Sequence, residues 1–501
     1  MSNNTWIAHL SSWKCFLEML LDSIEDEVQS TKYNRQIKTI EKVRCGAVLN
    51  PSLISEFIEP IKECTPNYTC EKYFFDLNDT QKKAVNTSMA AKNISLIQGP
   101  PGTGKTQVIA EICLQLLNKH PDIRILVCSE THVAVNNLIL RISPYSDNIR
   151  IVRIRNKEND ELINNFSPER IIESYKKWLQ KNVKNKELLE IIEEEISISS
   201  DIDAREQNKK QKQIEKILAL SANIVGMTCN RTAAYDFEDT AEMFDIVILD
   251  EVCKATLPEI LAPLTISKKA ILIGDPKQLP PVFCSEEQDI INKIENCELN
   301  KFMYIDSLFM NKNTSVLLDT QYRMSNQIGN MISELFYNGI LKNGRNKDIH
   351  DSLLWINYDL TNQWPIINNN ETPSIYNKDE VNVINKLIQK LKKNNPRSSI
   401  AVISPYRGQV RELRKSLLGF DNVKIDTVDG FQGKECDIVI FSITRTYGPY
   451  RFLADYRRLN VALSRAKDYI YIIGQIDYAK NNKLIKKIIN YFKITNLSEI
   501  K

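Results

Sequence analysis

Two series of short apolar runs, each ending at a glycine or a polar residue, constrain the fold most. The first series reads SLIQG, RILVCSE, DIVILDE and KAILIGD, and the second reads SSIAVISPY, VKIDTVDG, DIVIFSITR and DYIYIIGQ. Such runs are typical of parallel strands buried on both faces, with functional residues at their carboxyl ends. A chain of 501 residues also exceeds what one core usually organises. We therefore predict an α/β fold with two parallel-sheet domains, near 74–312 and 313–480.

The remaining segments have helical patterns. Charged and apolar residues alternate at helical spacing from Trp6 to about Lys72, which predicts a helical N-terminal appendage over 1–73. An insertion at about 156–220, placed between the second and third runs of the first series, is rich in Lys, Glu, Ile and Leu. Its runs KELLEIIEEEI and REQNKKQKQIEKIL predict a helical hairpin. We expect a helical tail over 481–501.

Charge and hydropathy place few limits on the partners of the chain. Its formal net charge is +3, so a polyanionic partner is neither required nor excluded by the total charge. The amino terminus lacks a basic stretch leading into a long apolar segment, and no apolar run approaches the roughly 18 residues that span a membrane. We expect a soluble intracellular protein without membrane contact, in either the cytoplasm or the nucleus.

A glycine-rich segment between a predicted strand and a predicted helix has the pattern of a phosphate-binding loop. Its glycines allow backbone N–H groups to surround a phosphate, its lysine reaches the β and γ oxygens, and its last hydroxyl can bind Mg²⁺. The pattern predicts ATP and Mg²⁺ as ligands. The segment consists of Gly99, Pro100, Pro101, Gly102, Thr103, Gly104, Lys105 and Thr106.

An acidic pair, Asp250 and Glu251, follows the run FDIVILD. A nucleoside triphosphatase needs one carboxylate for the metal and one to activate the attacking water. We assign the metal to Asp250, together with Thr106, and the general base to Glu251. A lone pair of this kind is usually a solvated strand end, and its position downstream of the phosphate loop favours the catalytic interpretation.

Eight motifs in order identify a family resemblance. They are LNDTQKKAV, GPPGTGKT, CSETHVAVNNL, LDEVCKAT, GDPKQLPP, QYRM, TVDGFQGKECDIVIFS and LNVALSRAK, and they span roughly residues 74–480. Together they resemble superfamily 1 helicases, and the wording of GDPKQLPPV, QYRM and DGFQGKE resembles the senataxin and nonsense-mediated-decay helicase branch. The resemblance implies two tandem RecA-like domains that hydrolyse ATP and move along a single nucleic-acid strand.

The resemblance also implies roles for side chains around the nucleotide. Gln81 would recognise the adenine edge, Tyr322 would stack on the adenine ring, and Glu435 would contact the ribose. Each residue type suits its role, since an amide both donates and accepts and a phenol ring offers a flat face. Taken alone, a tyrosine such as Tyr322 usually serves packing, Gln278 could simply cap a turn, and an arginine such as Arg465 is usually a surface charge.

Three further positions are implied to act on the reacting phosphate. Gln278 would sense the γ-phosphate, whereas Arg323 and Arg465 would act as arginine fingers from the second domain. Such a division makes closure of the two domains depend on the nucleotide. All six catalytic candidates, Lys105, Asp250, Glu251, Gln278, Arg323 and Arg465, are of a competent residue type.

Candidate nucleic-acid contacts follow predicted strands in both domains. Hydroxyls and backbone amides bind phosphates without reading sequence, and aromatic or proline faces support bases. A Ser or Thr at a strand end also caps the next helix as often as it binds phosphate. The candidates are Ser129, Thr131, Val133, Thr228, Ser404, Pro405, Tyr406 and Arg407.

These patterns predict an ATP-dependent helicase or translocase, with a 5′-to-3′ direction that comes from the resemblance alone. An ATP-controlled clamp that remodels ribonucleoprotein without unwinding is the main alternative, and a different P-loop enzyme or an inactive scaffold fits the motifs less well. After the acidic pair the chain reads Val252-Cys253-Lys254 where the family usually has a small residue and a glutamine, which puts coupling in question. The 156–220 insertion serves either as a solvated hairpin or as a direct grip on nucleic acid. We expect a monomer that binds single-stranded RNA or DNA; no protein partner is indicated.

Overall fold

A computed structural model describes most of the chain as two compact units. The first unit comprises Met1–Gln98, Lys105–Asp275 and Pro280–Leu317, and the second comprises Gly99–Gly104, Pro276–Leu279 and Leu318–Lys501. The described residues are 3–23, 26–59, 68–154, 160–183, 185, 187, 204–234, 244–283, 285–293, 305, 308–309, 315–345, 347–358, 366–368, 374–431 and 433–499.

The first unit is built on a parallel sheet of seven strands in the order β3-β4-β2-β5-β6-β1-β7. Apolar residues fill the central strands, because helices cover both faces of such a sheet. The strands are β1 (Ile94–Gln98), β2 (Ile125–Ser129), β3 (Ile151–Arg153), β4 (Ile224–Thr228), β5 (Phe244–Asp250), β6 (Ser267–Gly274) and β7 (Ser315–Leu317).

Twelve labelled helices belong to the described part of the first unit. They are α1 (Asn3–Ser23), α2 (Glu27–Arg44), α3 (Pro51–Ile58), α4 (Asp79–Ala90), α5 (Lys105–Lys119), α6 (His132–Ile142), α7 (Glu161–Asn164), α8 (Pro168–Asn182), α9 (Ala204–Ser221), α10 (Cys229–Thr232), α11 (Leu257–Thr265) and α12 (Ser285–Lys293).

The N-terminal helices pack into the core of the first unit. Trp13 and Phe16 of α1 are buried in the same apolar cluster as Ile260 of α11 and Leu249 of β5. The helix α2 adds a polar contact, since the Gln36 amide donates to the Asn230 side chain at 3.2 Å. The segment predicted as an appendage therefore contributes both apolar and polar contacts to the unit.

The predicted insertion lies between β3 and β4, so its placement between the second and third strands is corrected. The sequence series missed two strands here. The strand β3 has only three residues, and β4 contains Gly226, where a Cβ atom would lie 2.7 Å from Ile139 Cδ1. The helix α9 covers REQNKKQKQIEKIL, whereas KELLEIIEEEI falls almost wholly outside the described residues.

The second unit contains a parallel sheet of six strands in the order β14-β13-β15-β16-β10-β17, which together with the first sheet confirms the predicted α/β class. Two further pairs are small: β11 and β12 are antiparallel, and β8 and β9 are parallel. The strands are β8 (Thr320–Gln321), β9 (Lys342–Asn343), β10 (Leu353–Ile356), β11 (Ile366–Asn368), β12 (Ser374–Tyr376), β13 (Ile400–Ile403), β14 (Val423–Asp426), β15 (Cys436–Ser442), β16 (Ala466–Ile473) and β17 (Lys493–Thr495).

Helices pack on this second sheet around two apolar clusters. They are α13 (Asn326–Tyr337), α14 (Lys378–Asn394), α15 (Arg407–Ser416), α16 (Tyr456–Leu463), α17 (Ile476–Ala479) and α18 (Lys483–Ile489). The expected helical tail over 481–501 is corrected, because β17 follows α18 and pairs with β10. β17 reads Lys-Ile-Thr, and its two β-branched residues suit an edge strand.

Within the part of the chain that the structure describes, no helix is both long enough and apolar enough to cross a bilayer.

Candidate functional site

The phosphate loop connects the end of β1 with the start of α5. Gly102 and Gly104 have φ angles of +74° and +80°, a left-handed conformation that favours glycine. The Thr103 hydroxyl donates to the carbonyl oxygen of Pro100 at 2.8 Å, which closes the turn. The helix α5 begins at Lys105, and its first N–H groups lack partners within the helix, so the loop has the backbone that an anion site requires.

The acidic pair lies at the carboxyl end of β5. The Glu251 N–H donates to Asp250 Oδ1 at 2.8 Å, and Glu251 has a φ of 55°, so the acidic pair forms a sharp turn. Burial and the Glu251 carboxylate raise the pKa of Asp250 to about 6, whereas the Lys105 ammonium acts in the opposite direction. A divalent cation with oxygen ligands would relieve the repulsion between these carboxylates, so the residues fit Mg²⁺.

One carboxylate oxygen of Glu251 is placed to accept a hydrogen bond from a water or a ligand. Glu251 Oε2 is buried and accepts no hydrogen bond from any residue that the structure describes. A buried carboxylate oxygen without a partner is costly unless a ligand or water completes it. This atom therefore fits a water molecule, as a general base requires.

Two of the predicted phosphate-sensing residues contact each other within the second unit. Arg465 is buried, and its Nη2 donates to Gln278 Oε1 at 3.2 Å. Its Nε also donates to the carbonyl oxygen of Val461 at 3.0 Å. The structure thus brings the predicted sensor and one predicted arginine finger together, with the arginine oriented by the carbonyl group of the preceding helix α16.

The second predicted finger contacts the predicted ribose ligand. Arg323 Nε donates to Glu435 Oε2 at 2.8 Å, and Lys467 Nζ lies 2.7 Å from Glu435 Oε1. Burial on its own would raise the pKa of Glu435, but Arg323 and Lys467 outweigh burial and lower it. Glu435 is therefore held ionised between two cations, and the sequence does not reveal this contact because Lys467 belongs to a motif distant from Arg323 in the chain.

The QYRM motif also contacts the phosphate loop within the second unit. The Tyr322 N–H donates to the carbonyl oxygen of Gly102 at 2.8 Å, and a Cβ on Gly102 would lie 2.7 Å from Arg323 Cβ. The Tyr322 ring is 44% exposed, and a Cβ on Gly344 would lie only 2.4 Å from its Cε1. Gly344 therefore leaves space for the ring of a residue that is itself partly exposed.

Gln81 has a structural role in addition to the predicted one. It is buried in the first turn of α4, where its Oε1 accepts the Asn78 N–H at 3.0 Å and the Asn78 side chain accepts the Gln81 N–H at 2.9 Å. This reciprocal pair is a capping box. Recognition of adenine by Gln81 stays a prediction.

The nucleic-acid candidates of the first unit lie at strand ends. Ser129 is paired in register with both Thr228 and Asp250, so the three residues are adjacent at the carboxyl edge of β4, β2 and β5. Ser129 is buried, whereas Thr131 caps α6 and accepts the Ala134 N–H at 3.4 Å. Val133, in the first turn of α6, is half-buried. Thr228 precedes α10 without a side-chain capping bond, which leaves its hydroxyl the better placed of these for a phosphate.

In the second unit the candidates Ser404, Pro405, Tyr406 and Arg407 connect β13 with α15. Ser404 is buried and its hydroxyl is 3.0 Å from Thr444 Oγ1, so it is part of an internal network. Tyr406 is also buried, and its hydroxyl accepts from Arg445 Nε at 2.7 Å. Pro405 is half-buried and Arg407 is exposed. Arg445 was not among the predicted residues. It follows the carboxyl end of β15, and its place just after a predicted strand is the sequence signal that could have identified it.

A buried glutamate orders this second strand edge. Glu380 Oε2 accepts the Thr444 N–H at 2.8 Å and a hydrogen bond from the Ser442 hydroxyl, and Glu380 Oε1 accepts from the Tyr358 hydroxyl at 3.1 Å. Burial raises the pKa of Glu380 to about 7, against these hydrogen bonds. Thr444 has a φ of 67°, which the network holds in place. Sequence reasoning missed Glu380, because it lies within a charged helical run.

The unusual Val252-Cys253-Lys254 segment forms part of the first unit's core and one ion pair. A Cβ on Gly274 would lie 2.8 Å from Cys253 Sγ, so the segment packs directly on the end of β6. Lys254 Nζ lies 3.6 Å from Glu130 Oε2. The lysine thus connects the turn after the acidic pair with the motif that follows β2.

Comparison with known proteins identifies two matching family models and several similar proteins that are named helicases. Two family models, each described as an AAA domain, match residues 76–216 with 180–286 and residues 301–477. The chain is 29% identical to DNA polymerase alpha-associated DNA helicase A of Saccharomyces cerevisiae, over 91% of this chain and 74% of that protein. It is 29% identical to an uncharacterized ATP-dependent helicase of Methanocaldococcus jannaschii, over 87% of this chain and 73% of that protein. It is 28% identical to helicase sen1 of Schizosaccharomyces pombe, over 85% of this chain and 30% of that protein.

With these relatives, the two parallel sheets and the phosphate loop are those of a P-loop ATPase of the helicase class. The resemblance seen in the motifs is confirmed. The chain belongs to superfamily 1 helicases, in the branch of senataxin and the nonsense-mediated-decay helicases.

Proposed function

We propose that this helicase hydrolyses ATP with Mg²⁺ and uses the energy to move 5′-to-3′ along single-stranded RNA or DNA. The observation that carries the hydrolytic part is the buried Glu251 Oε2, which lacks a partner among the described residues, beside Asp250. The directional part rests on family membership.

In the proposed mechanism the first unit supplies the hydrolytic groups. Lys105 binds the β and γ oxygens, and Glu251 accepts the proton of the attacking water. Asp250 and Thr106 would hold Mg²⁺, which supplies charge neutralisation at the phosphate oxygens when bound. The two half-buried carboxylates are held at a strand end, so little rearrangement is needed before reaction.

The second unit supplies the residues that respond to the nucleotide. The Tyr322 ring stacks on the base, and Arg323 and Arg465 add positive charge at the transferring phosphoryl group. To do so, each arginine must exchange a present acceptor, Glu435 or Gln278, for phosphate oxygens. This exchange would make the arrangement of the second unit depend on the γ-phosphate.

The test is ATP hydrolysis by the purified protein alone, with single-stranded RNA and with single-stranded DNA, beside the Glu251→Gln variant. We expect stimulation by at least one polymer and loss of turnover in the variant. Turnover that neither polymer changes would contradict a nucleic-acid motor.

A second assay measures duplex separation with free 5′ or 3′ tails. Unwinding from the 5′ tail alone is expected. Stimulated turnover without separation would instead favour an ATP-controlled clamp, and unwinding only from 3′ tails would overturn the direction.

A further inference from the structure

A cavity of about 390 Å³ lies in the first unit, bordered by α2, α9 and the end of α10. None of the predicted site residues lines it. Its charged lining residues are Arg35, Lys38, Lys212, Glu215, Lys216 and Arg231. Among the described residues that line it, five cationic side chains thus face a single carboxylate.

The helix α2 presents one face to this cavity and the opposite face to the core. Arg35 and Lys38 share the cavity face with Thr31 and Asn34, at helical spacings of three and four residues. Gln36 and Ile40 are buried on the core side, where the Gln36 amide donates to Glu259 Oε1 at 3.4 Å. The basic face is therefore fixed in place by the packing of α2.

The opposite wall combines a buried ion pair with two lysines, of which Lys212 is exposed and Lys216 is half-buried. Arg231 Nη2 donates to Glu215 Oε2 at 2.8 Å, and both side chains are buried. This pair neutralises the only carboxylate among the described lining residues, so the other charged side chains of that described lining are all cationic. Lys38 and Lys212 are exposed and form no ion pair within the described part of the chain. Grouped cations of this kind attract a polyanion.

We infer that this cavity binds backbone phosphates of single-stranded nucleic acid, as a contact outside the motor motifs. The inference rests on the proposed function. Position favours nucleic acid over a free anion, because Thr228, a predicted phosphate contact at the end of β4, is only three residues before Arg231 in the α10 segment. A strand held at the carboxyl edge of the sheet can therefore continue into the basic cavity.

This mode of binding has a defined chemistry. Lysine and arginine neutralise phosphates by displacing bound counterions, so binding is independent of sequence and weakens with salt. The volume of about 390 Å³ is within the ~300–1,000 Å³ range of small-molecule sites, enough for a nucleotide unit rather than a duplex. The site would lengthen the stretch of strand that the protein holds.

The test compares a double variant, Lys38→Glu with Lys212→Glu, against two controls. Lys92→Glu with Lys119→Glu makes the same change of charge at exposed lysines that precede β1 and β2, at the amino edge of the same sheet. Lys38→Arg with Lys212→Arg keeps the cavity charge. Thermal unfolding and ATP hydrolysis without polymer check that each variant is folded and that its hydrolytic site is intact.

Fluorescence anisotropy then measures binding of oligonucleotides of increasing length at several salt concentrations. We expect the cavity variant to bind long strands about tenfold more weakly at low salt. We also expect its plot of log K against log salt to be shallower by about 0.7 for each phosphate that the variant no longer neutralises. Short strands should bind all variants alike, and the arginine variant should match wild type.

Three results would overturn the inference. The first is equal binding of long strands by the cavity variant and by the control that carries Lys92→Glu and Lys119→Glu. The second is tighter binding of tripolyphosphate by wild type than by the cavity variant while oligonucleotides bind both equally, which would assign the cavity to free polyanions. In the third, wild type binds no strand, and the proposed function fails together with the cavity assignment; in the first two results it survives.

Discussion

A glutamate with a buried carboxylate oxygen lies at the carboxyl edge of each sheet, but the surroundings of the two differ. In the first unit, Glu251 Oε2 has no partner among the described residues and lies beside Asp250. In the second unit, both oxygens of Glu380 accept hydrogen bonds, from Tyr358 on one side and from Ser442 and Thr444 on the other. The same residue type at the same kind of edge thus has an oxygen without a partner among the described residues in one unit, as the proposed reaction requires, and a complete set of hydrogen bonds in the other. The two glutamates differ in whether described residues donate hydrogen bonds to both of their carboxylate oxygens.

The largest effect is expected when the open carboxylate is removed. Glu251→Gln should lower kcat for ATP hydrolysis by about 10²–10⁴-fold, because an amide cannot accept the proton of water. Steady-state turnover with saturating polymer measures this. Glu380→Gln is the matched control, and its hydrolysis without polymer should stay near that of wild type. Equal losses in both variants would break the distinction between the two edges.

The Glu380 carboxylate, whose oxygens both accept hydrogen bonds, should instead affect the stability of the folded protein. The native pKa of Glu380 is about 7 against an ordinary value of 4.5. Between these pH values the folded unit keeps a proton that the unfolded chain has lost, so wild-type stability falls as pH rises through the window. As the pH rises through this range, the free energy of unfolding of Glu380→Gln should increase relative to that of wild type by on the order of 3 kcal/mol.

Urea unfolding of both proteins between pH 4.5 and 8 measures this gain. The control is Asp477→Asn, whose side chain is 87% exposed. If the stability difference between wild type and Glu380→Gln did not change with pH, Glu380 would be ionised in the folded protein over this whole pH range. That result would contradict a raised pKa for Glu380.

A smaller effect is expected at the exposed ring of the second unit. Tyr322→Ala should raise KM for ATP about tenfold with little change in kcat, since stacking on a base contributes ~1–3 kcal/mol. Tyr322→Phe keeps the ring and should behave like wild type. If the phenylalanine variant were as impaired as the alanine variant, the hydroxyl rather than the stacking face would be the important group.

The smallest effect belongs to the ion pair next to the acidic turn. Lys254→Ala removes the ion pair with Glu130 and should lower the free energy of unfolding by about 0.2–1 kcal/mol at low salt. Molar salt should abolish the difference. A larger loss that persists in salt would mean that Lys254 supports the reactive edge through packing.

The sequence predicted the parts of this structure that depend on local pattern. Apolar runs identified the central strands because parallel strands are buried on both faces, and the phosphate loop needs glycines at fixed spacing. Asp250 and Glu251 were identified because they directly follow such a strand. Their placement in the structure agrees with that position, while their catalytic roles stay predictions.

Other parts depend on contacts between distant segments. Glu380 lies in a charged helical run, and only the packing of α14 against β15 shows that it is buried. β4 was missed since Gly226 interrupts its apolar run where α6 approaches closely. Arg465 was predicted to approach the nucleotide, and the sequence offered no sign that Gln278 would bind it. Partners of this kind are set by tertiary structure.

The packing of α1 sets a limit on how this helicase can be shortened. Trp6, Trp13 and Phe16 share one apolar cluster with strands and helices of the first sheet. Cutting the chain just before the first motif, at Leu77, would uncover that surface, and contiguous apolar patches above a few hundred Å² favour self-association. A shortened ATPase that begins at the motifs would therefore be expected to aggregate during expression, with every catalytic residue still present.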